Sequence, residues 1–170
     1  TDKEETGSDG NTGMQSDFIR YFIYDLAKSE GEEGYRVLSK SKCLSADVNA
    51  AVDPTYESCF EPKNCSYINE GVVISKYTGA RGKSGASDAN AEFVAWVRNV
   101  FENNGILYQV AELGKVDVGG GGTIAYILAN KGADVIDCGV PVLSMHAPYE
   151  VTSKLDVWMA WGAYRSFWLQ

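Results

Sequence analysis

The chain has 170 residues, 45% of them hydrophobic and 12% aromatic, which is enough for a sizeable core and excludes intrinsic disorder. Fifteen Lys and Arg stand against 23 Asp and Glu, giving a net charge of −8 and an isoelectric point near 4.6, the wrong sign for a protein that lives on phosphate backbones. No apolar run reaches the roughly 18 residues of a membrane helix, and no basic segment followed by an apolar one opens the chain, so a soluble protein with neither nucleic acid nor membrane as partner is expected.

Residues 1–13 are polar and glycine-rich and read as a loop entering a helix. Phe18, Ile19, Phe22, Ile23 and Leu26 repeat at helical spacing, which predicts an amphipathic helix of about four turns, stopping before Gly31 with its apolar stripe against a core. Residues 35–38 and 43–48 read as short strands, and 53–69, with two prolines, two cysteines and no period, as irregular. A buried strand is expected at 71–76 and a flexible loop at 78–86. A second helix carries Phe93, Val94, Val97, Val100 and Phe101 and stops at Asn103, Asn104 and Gly105. Then come a strand at 106–110, a glycine-rich turn, a helix at 123–131, strands at 133–138 and 140–145, and a helix at 152–168. This alternation implies an α/β fold, a mixed β-sheet sandwiched between helices in a single domain. In the last helix Val157, Trp161, Tyr164 and Trp168 recur at spacings of three and four, a stripe read as packing, with Thr152 or Ser153 as N-cap.

The four cysteines, Cys43, Cys59, Cys65 and Cys138, form no C-x-x-C pair. Free thiols in a reducing, cytoplasmic compartment are the expectation, and a Cys59 to Cys65 disulfide stays open.

Three polar clusters fall where strand ends meet loops, where α/β proteins place their sites. At 2–8 the run DKEETGS sets Glu4 beside Glu5. Adjacent carboxylates repel, so the pair is either a solvated acidic run or needs a cation or proton between it and its neighbours. In SADVN at 45–49, Asp47 is either a turn residue or a ligand. In SMHAP at 144–148 stands His146, the only histidine, so any imidazole chemistry uses it; otherwise it is an ordinary loop residue. Glu, Asp and His offer the oxygen and nitrogen donors that zinc, cobalt or manganese accept, though three such clusters fall short of a full two-metal set. The run GGGGTI at 119–124 lacks the Lys-Ser/Thr of a Walker loop; it is either a close-approach turn beside a substrate or a flexible connection. Lys76, Arg81 and Lys83 either meet a carboxylate or belong to a solvated loop.

In this order DKEETGS at 2–8, SADVNA at 45–50, GGGGTIA at 119–125, Leu128 with Ala129, and LSMH at 143–146 resemble the C-terminal part of the M18 family metalloaminopeptidases, which include aspartyl aminopeptidase and aminopeptidase I. The similarity runs from Asp2 to Phe167. What it implies is a zinc-exopeptidase-like three-layer fold with a dinuclear metal site that removes N-terminal residues from peptides. Glu4 would be general base and acid, Glu5 and His146 would ligate one metal, and Asp47 the other. Two divalent ions are implied, zinc foremost with cobalt or manganese as alternatives, as is a homo-oligomer. Lys76, Gly121, Gly122 and Thr123 would border the substrate.

Members of the family carry a further histidine and a bridging aspartate upstream of the Glu-Glu pair, and an inserted oligomerisation domain, and these have no counterpart here. A base held four residues from a free terminus would also fray. The chain is therefore expected to be the C-terminal piece of a longer catalytic domain, with little or no activity alone. Two rival readings are a non-catalytic assembly subunit of the same fold and an anion-binding module on the glycine turn at 119–122.

Overall fold

The computed structural model describes residues 6–80, 84–115, 118 and 120–170. Among them the elements are, in chain order, α1 (Phe18–Ser29), α2 (Gly34–Ser39), β1 (Lys42–Ser45), β2 (Asn49–Ala50), a 3₁₀ turn (Glu57–Cys59), β3 (Val72–Ser75), β4 (Tyr77–Ala80), β5 (Ser84–Asp88), α3 (Ala91–Asn103), β6 (Tyr108–Val110), α4 (Ala125–Ala129), β7 (Asp134–Gly139), β8 (Pro141–Val142) and α5 (Lys154–Trp168). The chain divides into two units, Thr1–Cys43 with Ile124–Val135, and Leu44–Thr123 with Ile136–Gln170.

In the smaller unit α1 has the expected limits and packs against α2. Its apolar residues split into two rows. Ile19, Ile23 and Ala27 are the more buried, whereas Phe18, Phe22 and Leu26 are exposed and the first two rings stack on each other. The expected single stripe facing a core is thus corrected: at a spacing of four, only one of the two adjacent rows is covered. Residues 34–39 form helix α2 in place of the expected strand. A Cβ at Gly34 would lie 2.2 Å from the Tyr24 ring, so this glycine lets the α1 ring lie against the α2 backbone. That packing outweighs the β-preference of Tyr35 and Val37.

The larger unit is organised by a mixed sheet of order β1-β7-β3-β6. Strand β3 runs parallel to β6, with Val72 opposite Tyr108, and antiparallel to β7, with Ile74 opposite Cys138. Its four residues are all buried, as a continuous apolar strand predicts. Alternation along the strands sends Val72, Ile74, Ile136 and Cys138 to one face, where Phe93, Val97, Val100 and Phe101 of α3 and Ala160 and Ala163 of α5 complete the core. Helix α3 starts where Asn90 accepts a hydrogen bond from the Phe93 amide and ends before Gly105 at φ +66°.

Several expectations change. The loop expected at 78–86 contains the antiparallel hairpin β4–β5, although Arg81 and Lys83 lie outside the described residues. Helix 123–131 contracts to Ala125–Ala129, and strand 140–145 to the two residues of β8, which pair in parallel with β2. In α5, Val157, Trp161 and Trp168 are exposed; the buried face is Asp156, Ala160, Ala163 and Ser166. Small side chains let the helix approach the sheet, Tyr164, as expected of a packing stripe, and Phe167 pack against the same core, and on the exposed side Trp158 stacks on Trp161. No disulfide joins the four cysteines.

Asp156 is fully buried in the first turn of α5. Its carboxylate accepts the Gly71 and Asn69 amides at 2.8 Å each, which ties the entry of β3 to a helix N-terminus whose dipole favours a negative charge. Replacing Asp156 by Ala leaves two amide donors unpaired and is expected to lower stability by about 3 kcal/mol in urea unfolding; a loss below about 1 kcal/mol would contradict this role.

Candidate functional site

Strand β1 ends at the buried Ser45, and the chain then turns sharply, with the Asp47 amide donating to the Ser45 carbonyl at 3.0 Å. The half-buried Asp47 carboxylate accepts its neighbour's amide, Val48 N, at 2.8 Å, which fixes its orientation. Asn49 anchors the far side of the turn. Its amide donates to Val140 O, its Nδ2 donates to Ser75 Oγ at 2.9 Å, and its Oδ1 accepts Ser66 Oγ at 2.7 Å. Against this turn lies Gly139, where a Cβ would fall 1.3 Å from the Asp47 carbonyl oxygen. Only glycine permits that approach.

Two positions before Gly139, on the sheet face opposite the α3–α5 core, stands Asp137, a residue that the sequence reading passed over. It is buried, accepts Thr123 Oγ1 at 2.8 Å and Thr78 Oγ1 at 3.3 Å, and lies opposite Ser75 in the β3–β7 ladder. Loss of water pushes its carboxyl up to about 6, with the charge of Asp47 adding to the shift and the hydroxyls of Ser45, Thr123 and Thr78 opposing it. Ser45 is near enough to favour the charged form, yet neither Ser45 Oγ nor Asp137 Oδ1 completes a hydrogen bond among the described residues. A signal did exist in the sequence: an acid in the middle of the apolar run 133–142.

His146 lies in the loop closed by the antiparallel bridge of Leu143 with Val151. Ser144 and His146 both take left-handed backbone conformations, with φ +58° and +66°, and the His146 amide donates to the Glu150 carboxylate. Non-glycine residues held at such angles store strain that clusters at functional sites. The His146 side chain is exposed. Of the expected metal ligands, Asp47 and His146 are described, while Glu4 and Glu5 lie outside the described residues. No three His, Cys, Asp or Glu side chains among the described residues gather closely enough to hold an ion.

The four expected substrate-side residues have definite surroundings. Lys76 Nζ pairs with the Asp88 carboxylate, close to the half-buried Glu112, whose carboxyl is pushed up to about 7 by loss of water first and by Asp88 second, against the pull of Lys76. Gly121 O accepts the Gly79 amide at 3.1 Å, and a Cβ at Gly121 would meet Leu113 Cδ2 at 2.7 Å; Gly122, next in the chain, is exposed. Gly119 lies outside the described residues. The Thr123 hydroxyl points inward to Asp137, and helix α4 beyond it has only five residues, which gives no support to an anion site at its N-terminus.

Two outcomes follow. Gly139→Ala is expected to cost about 2–3 kcal/mol in urea unfolding, because the Asp47 turn must move; a change within about 0.5 kcal/mol would contradict the close approach. Glu112 holds its proton more tightly folded than unfolded, so its ionisation costs stability as pH rises from about 4.5 to about 7. Glu112→Gln should therefore raise the urea midpoint at about pH 8 and leave it unchanged at about pH 4; an equal effect at both would contradict the shift.

Over residues 1–168 the chain matches the family model described as aminopeptidase I zinc metalloprotease (M18). It is 49% identical over 170 residues to a probable M18 family aminopeptidase 1 of Clostridium acetobutylicum, covering 98% of this chain and 37% of that protein. A crystal structure of an M18 family aminopeptidase from Thermotoga maritima superposes with a TM-score of 0.90 at 47% identity, over 96% of this chain and 38% of that one. At 23% identity the fold is shared with a Saccharomyces cerevisiae protein solved as a dodecamer, with a TM-score of 0.77 over 99% of this chain and 36% of that one. The chain thus spans a little over a third of the length of the relatives it matches. With a matching family model along nearly its whole length and a superposable fold, this chain belongs to the M18 family of zinc metalloproteases.

Proposed function

We propose that the protein is a metal-dependent aminopeptidase that hydrolyses N-terminal residues from peptides in the cytoplasm, and that this chain supplies Glu4 as general base and acid, Glu5 and His146 as ligands of one divalent ion, and Asp47 as a ligand of the second. The observation that supports it is family membership over residues 1–168, with Asp47 seated against a glycine that admits no side chain and His146 held at a left-handed backbone angle. A carboxylate oriented by a backbone amide and an imidazole on a strained loop are the oxygen and nitrogen donors zinc accepts, and cobalt or manganese tolerate the same pair.

Two such ions, when bound, would lower the pKa of the attacking water and stabilise the oxyanion that forms on the peptide carbonyl. Glu4 would serve as the group that accepts a proton from the attacking water and returns it to the departing amine. Gly121, Gly122 and Thr123 line the approach of the substrate backbone, and Lys76 sets the preference for its first side chain. With His146 the only histidine, a second imidazole and a bridging carboxylate are needed from residues beyond this sequence. Assembly into a homo-oligomer is part of the same reading, supported by the dodecameric relative.

The 170 residues alone, given zinc, cobalt or manganese, are expected to leave aminoacyl-p-nitroanilides intact. A full-length M18 protein carrying this sequence should cleave them, lose activity to a chelator, and lose about 10³-fold in kcat on Glu4→Gln with its metal content unchanged. Cleavage by the 170-residue chain would overturn the need for further ligands, and full activity of the Glu4→Gln enzyme would overturn the role of Glu4.

A further inference from the structure

The sheet face that carries Asp137 holds a cluster of buried polar groups beside Val73. Ser45, Asn49, Ser75, Thr78, Thr123 and Asp137 are each at most 8% exposed, on the side of β3 and β7 away from the apolar core. A carboxylate is a costly choice there, since a buried charge is tolerated only where its partners are well placed. The partners are informative. Thr123 ends the glycine-rich segment and Thr78 belongs to β4; both hydroxyls reach the same oxygen, Asp137 Oδ2, and they stand 3.4 Å from each other. The same two segments meet again where the Gly79 amide donates to Gly121 O. Gly120, at φ +83°, has room for a Cβ only 2.9 Å from Leu113 O, so that segment is held close on both sides. Asp137 also leads into Gly139, on which the Asp47 turn rests, and Asp47, Thr78, Thr123, Asp137 and Gly139 together enclose a cavity of only about 10 Å³.

We propose that Asp137 is a positioning residue for the hydrolytic site: through Thr123 and Thr78 it pins the Gly120–Gly122 segment to β4, and through the strand that ends in Gly139 it sets the height of the Asp47 turn. This rests on the aminopeptidase reading above. The carboxylate touches neither substrate nor metal; it acts through the two threonines. Asp137→Asn keeps an oxygen that accepts both hydroxyls, whereas Asp137→Ala removes the shared acceptor, and Thr123→Val removes one donor at nearly constant volume.

Two readouts test it. In this chain, hydrogen exchange should show the Gly79 amide exchanging at least about ten times faster in Asp137→Ala and in Thr123→Val, with β3 amides unchanged and Asp137→Asn close to wild type. In the full-length enzyme, Asp137→Ala and Thr123→Val should raise KM or lower kcat by about 10- to 100-fold at temperatures where they stay folded, with Asp137→Asn restoring most of it. Val97→Ala, in the α3 core, serves as a control that lowers stability without touching either readout. If Asp137→Ala does not fold, Thr123→Val carries the test. Unchanged Gly79 exchange overturns the inference, as does faster exchange with unaltered kcat and KM. A wild-type enzyme without metal-dependent hydrolysis would instead bring down the aminopeptidase reading on which the proposal rests.

Discussion

The larger unit depends on a sheet whose two faces obey opposite rules. One face of β3 and β7 is wholly apolar and takes the rings of α3 and the small side chains of α5, so burial there supplies stability and little else. The other face buries, beside Val73, hydroxyls, an amide and the Asp137 carboxylate, groups whose burial is costly unless they find partners. Because β-strand side chains alternate, a single strand such as β7 serves both: Ile136 and Cys138 face the core, while Asp137 faces the network. The polar face is the one on which the Asp47 turn and the glycine-rich segment sit. The proposed site would thus stand on the directional side of the sheet and be supported from behind by the non-directional one.

Close approach does similar work elsewhere. Gly139 under Asp47 and Gly34 under Tyr24 are positions where a single methyl group would collide, so the chain's shape there is set by what is missing from the side chain. At Ser144 and His146 the opposite holds: ordinary residues occupy backbone angles that glycine would take more easily. Ser and His at such angles carry a local strain that glycine would relieve.

Periodicity and capping gave the long elements correctly. Helices α1, α3 and α5 and strands β3, β6 and β7 follow from apolar spacing, Ser153 as a cap and Gly105 as a stop. Three things were not legible. Residues 34–39 became a helix because α1 offers a surface for it, a tertiary effect absent from the local pattern. The exposed side of α5 was misread because the helix is apolar nearly all round, so spacing alone cannot say which stripe is covered; Ala160, Ala163 and the buried Asp156 mark the side that is. Asp156 was missed because a buried carboxylate declares itself by its partners, and those are 85 and 87 residues away; Asp137 stood inside an apolar run, but its role is set by Thr78 and Thr123, 59 and 14 residues away. The candidate ligands Glu4, Glu5, Asp47 and His146 were readable only as a family pattern, since nothing local separates a ligand from a turn residue.

The account's centre is that Asp47 and His146, with the Glu-Glu pair at the front of the chain, hold divalent cations. The most direct measurement is anomalous diffraction at the zinc edge from zinc-loaded crystals of the full-length protein. The account predicts zinc peaks within about 2.0–2.2 Å of an Asp47 carboxylate oxygen and of a His146 ring nitrogen. Zinc bound elsewhere, with Asp47 and His146 both outside its coordination sphere, would contradict it.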